Sequence, residues 1–155
     1  MAGTSLKPTR GDASSVRLSR LSRWAMALSA LGLAAVLGVA CCLTPDPRGF
    51  GTHTQLGMPP CAFKVVTGIP CPTCGMTTSF AWFARGRFDR SWRANPAGSL
   101  LAPVCLLMIP WLVAGAARGR PVGFRSVEGP VITVVSATVA LSLLFWTIRL
   151  FLGGR

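Results

Sequence analysis

The sequence predicts an all-α membrane protein, with three full transmembrane helices plus a re-entrant or broken fourth segment that carries a C-P-x-C-G turn and a half-helix. Three observations predict it. Of 155 residues, 51% are apolar and the mean hydropathy is +0.53. The apolar residues fall in long uncharged runs at 24–43, 94–117 and 129–148, whereas helices of a soluble core bury only one stripe. A fourth uncharged run, 65–84, contains Gly68, Pro70, Pro72 and Gly75, which a continuous helix does not carry in its interior. Sixteen Lys/Arg against four Asp/Glu give a net charge of +12. Between apolar runs such an excess encodes membrane orientation more than nucleic-acid binding. Asp12, Asp46, Asp89 and Glu128 are the whole acidic inventory, which excludes a soluble enzyme built on carboxylates.

Residues 1–23 hold Lys7, Arg10, Arg17, Arg20 and Arg23 among Gly, Ser and Thr, and read as a disordered basic tail. Residues 24–43 are long enough for a first span. A cleaved signal peptide is the competing reading, but the apolar run is too long and Gly38-Val39-Ala40-Cys41 lacks the Leu of a lipoprotein box. Pro45 and Pro47 end this helix, and the outer loop 44–64, Gly- and Pro-rich over 48–60, reads as exposed. Within the broken segment 65–93, an extended or turning half through Cys74 leads to a short helix from about Met76 to Arg85, which Gly86 terminates. The hydroxyls of Thr77, Thr78 and Ser79 are suited to cap that helix. Residues 85–93 are basic and aromatic, with Phe88 and Trp92 four apart on one helical face, which suits a headgroup layer. Asn95 as N-cap with Pro96 at the first helical position opens the second span, 94–117, in which Pro103 and Pro110 should introduce kinks. A polar connection, 118–128, leads to the third span at 129–148 and a tail at 149–155.

The charge distribution bears on whether the broken segment crosses. With three spans the basic residues divide eight to eight between the two sides. With a fourth crossing, the five of the tail join Arg85, Arg87, Arg90, Arg93, Arg149 and Arg155 on one side, leaving Arg48, Lys64, Arg118, Arg120 and Arg125 on the other. The positive-inside bias favours the fourth crossing. It implies a multi-pass membrane protein with both termini cytoplasmic and the cysteines entering from the outer face.

Cys61, Cys71 and Cys74 form a C-x9-C-x2-C pattern. The string Thr67-Gly68-Ile69-Pro70-Cys71-Pro72-Thr73-Cys74-Gly75-Met76-Thr77 precedes a short helix, a Gly, a basic patch and Asn95-Pro96. In this the chain resembles small bacterial membrane proteins grouped as domain of unknown function 2752, over roughly Cys61 to Ala117. Thr78 stands where members of that family often carry Arg. The resemblance implies an integral membrane protein and supplies no reaction.

The chemistry open to the motif is of three kinds. A C-P-x-C pair at a helix N-terminus stabilises a thiolate through free N–H groups and the helix dipole. That suits a thiol–disulfide oxidoreductase with Cys71 and Cys74 reactive and Cys61 resolving, for which Cys41-Cys42 is the available shuttle pair. A metal site would take Cys61, Cys71 and Cys74 with His53, the one histidine, as Cys3His, or the cysteines alone or with a cofactor. The third reading is structural: a disulfide or packed thiols pinning a broken backbone, with the glycines and prolines present for turn geometry. Cys105, mid-span, reads as a small apolar residue, and Met76, Phe80 and Phe83 as bundle core. The Arg85–Arg93 cluster suits anionic headgroups of a lipid bilayer, and no nucleic acid is expected. The sequence names no cofactor and carries no phosphate loop or Ser/His/Asp set. The leading reading is therefore non-enzymatic, a structural or partner-binding membrane component with a membrane protein as partner. The thiol oxidoreductase and the metal- or cofactor-binding module are the alternatives.

Overall fold

A computed structural model describes residues 17–120 and 128–152. The described elements are α1 (Arg20–Cys42), a 3-10 turn (Thr52–Leu56), α2 (Ala62–Thr67), α3 (Met76–Ala84), α4 (Phe88–Ala94), α5 (Pro96–Arg118) and α6 (Glu128–Leu152), with no strand among the described residues. Arg20–Cys42, Pro96–Arg118 and Gly129–Phe151 are long and apolar enough to cross a membrane. At about 1.5 Å per residue each reaches about 35 Å, against about 30 Å of hydrocarbon. Most of their large apolar side chains, among them Leu28, Leu107 and Val135, face outward, where lipid and not water would have to receive them.

The helix ends follow local chemistry. Ser19 caps α1, its Oγ accepting from the Ser22 N–H at 3.1 Å, so the helix takes in Arg20 to Arg23, which the sequence assigns to the tail. Residues 1–16 of that tail lie outside the described residues, as do 121–127 of the polar connection. Asn95 caps α5 as expected, its Oδ1 accepting from the Gly98 N–H at 3.0 Å with Pro96 in the first turn. Gly119 closes that helix at φ +63°, a left-handed conformation that glycine adopts without a Cβ penalty. α6 continues past 148, so most of the expected tail at 149–155 is its last turn.

α1 and α5 pack antiparallel. At one end Arg23 Nε donates to the Ala116 carbonyl at 2.8 Å and the Leu18 N–H to the Gly119 carbonyl at 2.9 Å. Met26, Ala30 and Leu112 form the core there, and the Met26 methyl sits against Gly115 so closely that a Cβ would not fit. Nearer the other end Ala40, Phe80, Ala102 and Cys105 form a second core, which Leu37, Met76 and Phe83 extend. Small residues on the facing helices let backbones approach, the usual device where lipid competes with side-chain packing.

Residues 43–95 leave from and return to that second end, with Phe80 and Phe83 packed between α1 and α5, which is the re-entrant form of the expected broken segment and not a full crossing. Arg85, at the C-terminus of α3, reaches the Ala40 and Cys41 carbonyls at the end of α1. Gly49 lies against Ala94, at the junction of α4 and α5. The end of α6 returns to the same place, where Arg149 Nη2 donates to the Arg93 carbonyl at 2.9 Å. The broken segment thus leaves from and returns to one end of a three-helix bundle, as a cap. The start of α1 and the end of α6 lie at opposite ends, not on the one side that a fourth crossing requires.

The cap is more ordered than its composition suggests. The stretch 48–60, expected as an exposed loop, contains the 3-10 turn, and Thr52 within it is fully buried. Its Oγ1 accepts from the Asp46 N–H at 3.0 Å and lies 2.8 Å from Thr78 Oγ1. Within the half expected to be extended or turning, residues 65–67 complete α2 and residues 68–75 run as bends and turns. The hydroxyls of Thr78 and Ser79 do not cap α3, whose N-cap Gly75 has no side-chain cap. Thr78 binds Thr52, while Ser79 Oγ lies 2.9 Å from Ser91 Oγ and 3.1 Å from the Asn95 carbonyl oxygen. Ser91 Oγ donates back to the Ser79 carbonyl at 2.9 Å, which ties α3 to α4. Buried hydroxyls without such partners would cost about 1–3 kcal/mol each.

Candidate thiol centre

The three cysteines of the motif come together. The Sγ atoms of Cys61, Cys71 and Cys74 all lie within 4.8 Å of one another, half-buried, and all are free thiols. Cys61 is the N-cap of α2, while Cys71 and Cys74 bracket the turn between α2 and α3, closed by the Cys74 N–H donating to the Cys71 carbonyl at 3.0 Å. Thr67 ends α2, its Oγ1 donating to the Phe63 carbonyl at 2.6 Å, and Gly68 at φ +73° reverses the chain so that Cys71 returns to Cys61.

The turn is held from two sides. Asn95, which caps α5 through Oδ1, donates through Nδ2 to the Cys74 carbonyl at 3.2 Å and the Pro72 carbonyl at 3.4 Å. Trp146 Nε1 of α6 donates to the Pro70 carbonyl at 2.7 Å, and its ring meets Phe63 of α2 edge-on. Gly75 follows at φ +85°, with the Gly49 and Ala94 carbonyl oxygens 2.5 and 2.7 Å from where a Cβ would stand. Backbone on both flanks therefore fixes the spacing of the sulfurs.

The three thiols are not equivalent. Cys61 Sγ makes no closed capping hydrogen bond, yet the Lys64 N–H in the first turn of α2, and after it the Cys71 thiol, favour its thiolate and hold its pKa below the ordinary value. Burial pushes the Cys74 thiol up, and negative charge on Cys71 and Cys61 adds to that. For Cys74 the direction is opposite to that expected of a thiol activated by α3. Cys74 precedes the N-cap Gly75 and is the more buried, so desolvation outweighs the helix terminus.

A cavity of about 340 Å³ opens over the thiols, lined also by His53, Met58 and Thr77. His53 shares the cavity, but its ring nitrogens are not among the atoms within 4.8 Å of one another, so the Cys3His set is not assembled. On the other flank Lys64 Nζ stands 3.0 Å from the centre of the Phe50 ring, which Arg48 also approaches. Cys41 and Cys42 are exposed at the end of α1 and Cys105 is buried in α5, all three outside the cluster. Sequence reasoning missed the second role of Asn95, the Trp146 anchor and the Thr52–Thr78 contact. None has a local signature, because each joins residues 20 or more positions apart.

The chain is thus an all-helical protein with three candidate membrane spans and a cysteine-bearing cap at one end. Residues 61–109 match the model of a family described as a protein of unknown function (DUF2752). That stretch takes in the three clustered cysteines, the C-P-T-C turn, α3, α4 and the first half of α5. No curated protein and no solved structure matches the chain.

Proposed function

We propose that the cap is a binding module for a thiophilic metal ion, carried by a multi-pass protein of the bacterial cytoplasmic membrane and presented to a membrane partner. The observation that carries this reading is the mutual approach of the Cys61, Cys71 and Cys74 sulfurs. Tetrahedral zinc with Zn–S bonds of about 2.3 Å needs sulfurs about 3.8 Å apart, so a contraction of about 1 Å from 4.8 Å completes three corners. Soft thiolates suit zinc or cuprous ions over hard cations. The fourth position faces the cavity, where His53, Met58 or water is at hand. Protons compete with the metal for each sulfur, so binding weakens as pH falls. The N-terminus is cytoplasmic in this reading, which places the thiol cap on the outer face.

Elemental analysis of protein purified under reducing conditions is expected to give about one thiophilic ion per chain, lost on replacing Cys61, Cys71 or Cys74 with Ser and retained on replacing Cys105. No metal at any ratio, with the thiols shown to be reduced, overturns the proposal. The low pKa of Cys61 supports a second reading, thiol–disulfide exchange. Cys61 thiolate would attack a substrate disulfide, and Cys71 would then displace the mixed disulfide, leaving a Cys61–Cys71 disulfide and releasing the substrate as two thiols. Maleimide counting with and without reductant separates the readings, since exchange requires two thiols to disappear on oxidation and reappear on reduction.

A further inference from the structure

At the end of the bundle opposite the thiols, the segment before α1 crosses the end of α5. The Leu18 N–H donates to the Gly119 carbonyl at 2.9 Å, which fixes residues 17–19 against that helix end. The crossing frames a cavity of about 320 Å³ lined by Arg17, Leu18, Arg23, Arg118, Gly119 and Arg120. Four arginines border it, and among the described residues no Asp or Glu does. The two ion pairs among the described residues, Asp46–Arg48 and Arg87–Asp89, both lie in the cap. Arg23 spends its Nε on the Ala116 carbonyl, so it is held in place and not free to swing away.

Leu18 is shared with a second, larger cavity of about 790 Å³ between α1, α5 and α6. Ser22, Met26 and Gly32 of α1, Met108 of α5, and Val131 and Val135 of α6 line it, and its walls are mostly apolar. Its volume falls in the range of about 300–1,000 Å³ usual for ligand sites. The ligand that fits both compartments has an anionic head for the arginines and a hydrocarbon chain for the groove. Guanidinium groups bind phosphate oxygens in bidentate fashion, and basic pockets between membrane helices are sites for acidic lipid headgroups.

We propose that the Arg17, Arg23, Arg118 and Arg120 cavity and the adjoining groove bind one anionic phospholipid, its phosphate among the arginines and one acyl chain between α1, α5 and α6. The test is native mass spectrometry of the full chain in a neutral detergent, titrated separately with dioleoyl-phosphatidylglycerol, dioleoyl-phosphatidylcholine and inorganic phosphate. Phosphatidylglycerol is expected to give a saturable adduct of one lipid per chain. Arg118→Gln with Arg120→Gln should weaken it about thirtyfold, from about fivefold per charge removed. Arg87→Gln with Arg90→Gln, in the cap, should leave it unchanged. Gly32→Leu gives an independent reading should the arginine variant fail to fold. A Cβ at position 32 meets nothing within 4 Å, so the leucine fills the groove and should displace the lipid. Equal binding of phosphatidylcholine, phosphate binding as well as the lipid, or an unaltered adduct in both Gly32→Leu and the Arg118/Arg120 variant overturns the proposal.

Discussion

Replacing Gly75 with Ala separates two demands that the thiol centre places on one residue. The first is conformational. Gly75 sits at φ +85°, where an L side chain costs about 1–2 kcal/mol. The second is steric. The new Cβ would stand 2.5 Å from the Gly49 carbonyl oxygen and 2.7 Å from that of Ala94. Both are backbone atoms, and Ala94 is fixed where α4 meets α5, so relief means separating the C-P-T-C turn from that junction. Overpacking of this kind costs about 1–3 kcal/mol, and the expected loss is about 2–5 kcal/mol. Gly57 and Gly98 serve as controls that each carry one demand. Gly57 lies at φ +76° with nothing within 4 Å, so Gly57→Ala should cost only about 1–2 kcal/mol. Gly98 is helical, and its Cβ would meet the Ser79 side chain at 3.1 Å and Met76 Cγ at 3.3 Å. There the helix-propensity gain of about 1 kcal/mol offsets much of the crowding. Thermal unfolding of the three variants in one detergent, followed by tryptophan fluorescence, measures the order. If Gly75→Ala unfolds no earlier than Gly57→Ala, the close approach of the two carbonyls does not constrain the turn and the account of how the sulfurs are spaced fails.

Four further outcomes are expected. In reduced, metal-free protein, the alkylation rate of each thiol rises with pH through its own pKa. Cys61, held below the ordinary thiol value of about 8.5, should therefore reach half its maximal rate at a lower pH than Cys74, which burial raises; peptide mass spectrometry reads both, and the reverse order refutes the assignment. Arg85→Met should cost about 1–3 kcal/mol in the same unfolding assay, because it strips donors from the Ala40, Cys41 and Ala81 carbonyls, whereas Arg87→Met, which loses only an exposed 3.6 Å ion pair, should stay within about 0.5 kcal/mol of wild type. Asn95→Asp keeps an acceptor to cap α5 but loses the donors to the Pro72 and Cys74 carbonyls, so it should weaken metal retention by about tenfold while α5 stays helical; metal retention equal to wild type would remove Asn95 from the centre. Reporter fusions after residues 60, 90 and 152 should all report one side of the membrane and a fusion after 120 the other, and opposite reports from 60 and 90 would restore the fourth crossing.

The parts of the protein legible in the sequence are those set by local chemistry. Uninterrupted apolar runs located the three spans, Asn95-Pro96 located the start of α5, and the Gly and Pro content of 65–75 located the break. The grouping of Cys61, Cys71 and Cys74 was legible as a pattern, because a C-x2-C turn places two sulfurs close by itself. Which thiol is activated was not legible. The lowering at Cys61 rests on the first turn of α2, a helix of six residues too short to announce itself in composition, and the raising at Cys74 on its burial. Thr77, Thr78 and Ser79 look like caps by position, but tertiary partners claimed two of them: Thr78 turned to Thr52 and Ser79 to Ser91.

The charge count and the packing lean to different arrangements of the broken segment, for a physical reason that the arginines supply. The positive-inside rule counts a basic residue as a mobile charge that resists translocation, and on that count a fourth crossing looked better than three. Arg23, Arg85 and Arg149 are committed otherwise. Each reaches from one helix to the carbonyls that end another, Arg23 to α5, Arg85 to α1 and Arg149 to α4. There a cation meets both unpaired acceptors and the negative end of a helix dipole. Such a residue must sit where its partner helix ends, whatever the orientation of the chain, so its position reports packing and not sidedness. Setting those three aside, the other thirteen basic residues of the sequence divide seven to six between the two sides with three spans and eight to five with a fourth crossing. The count still leans to a fourth crossing, so it is the return of residues 43–95 to one end of the bundle, and not the charge balance, that favours the re-entrant arrangement.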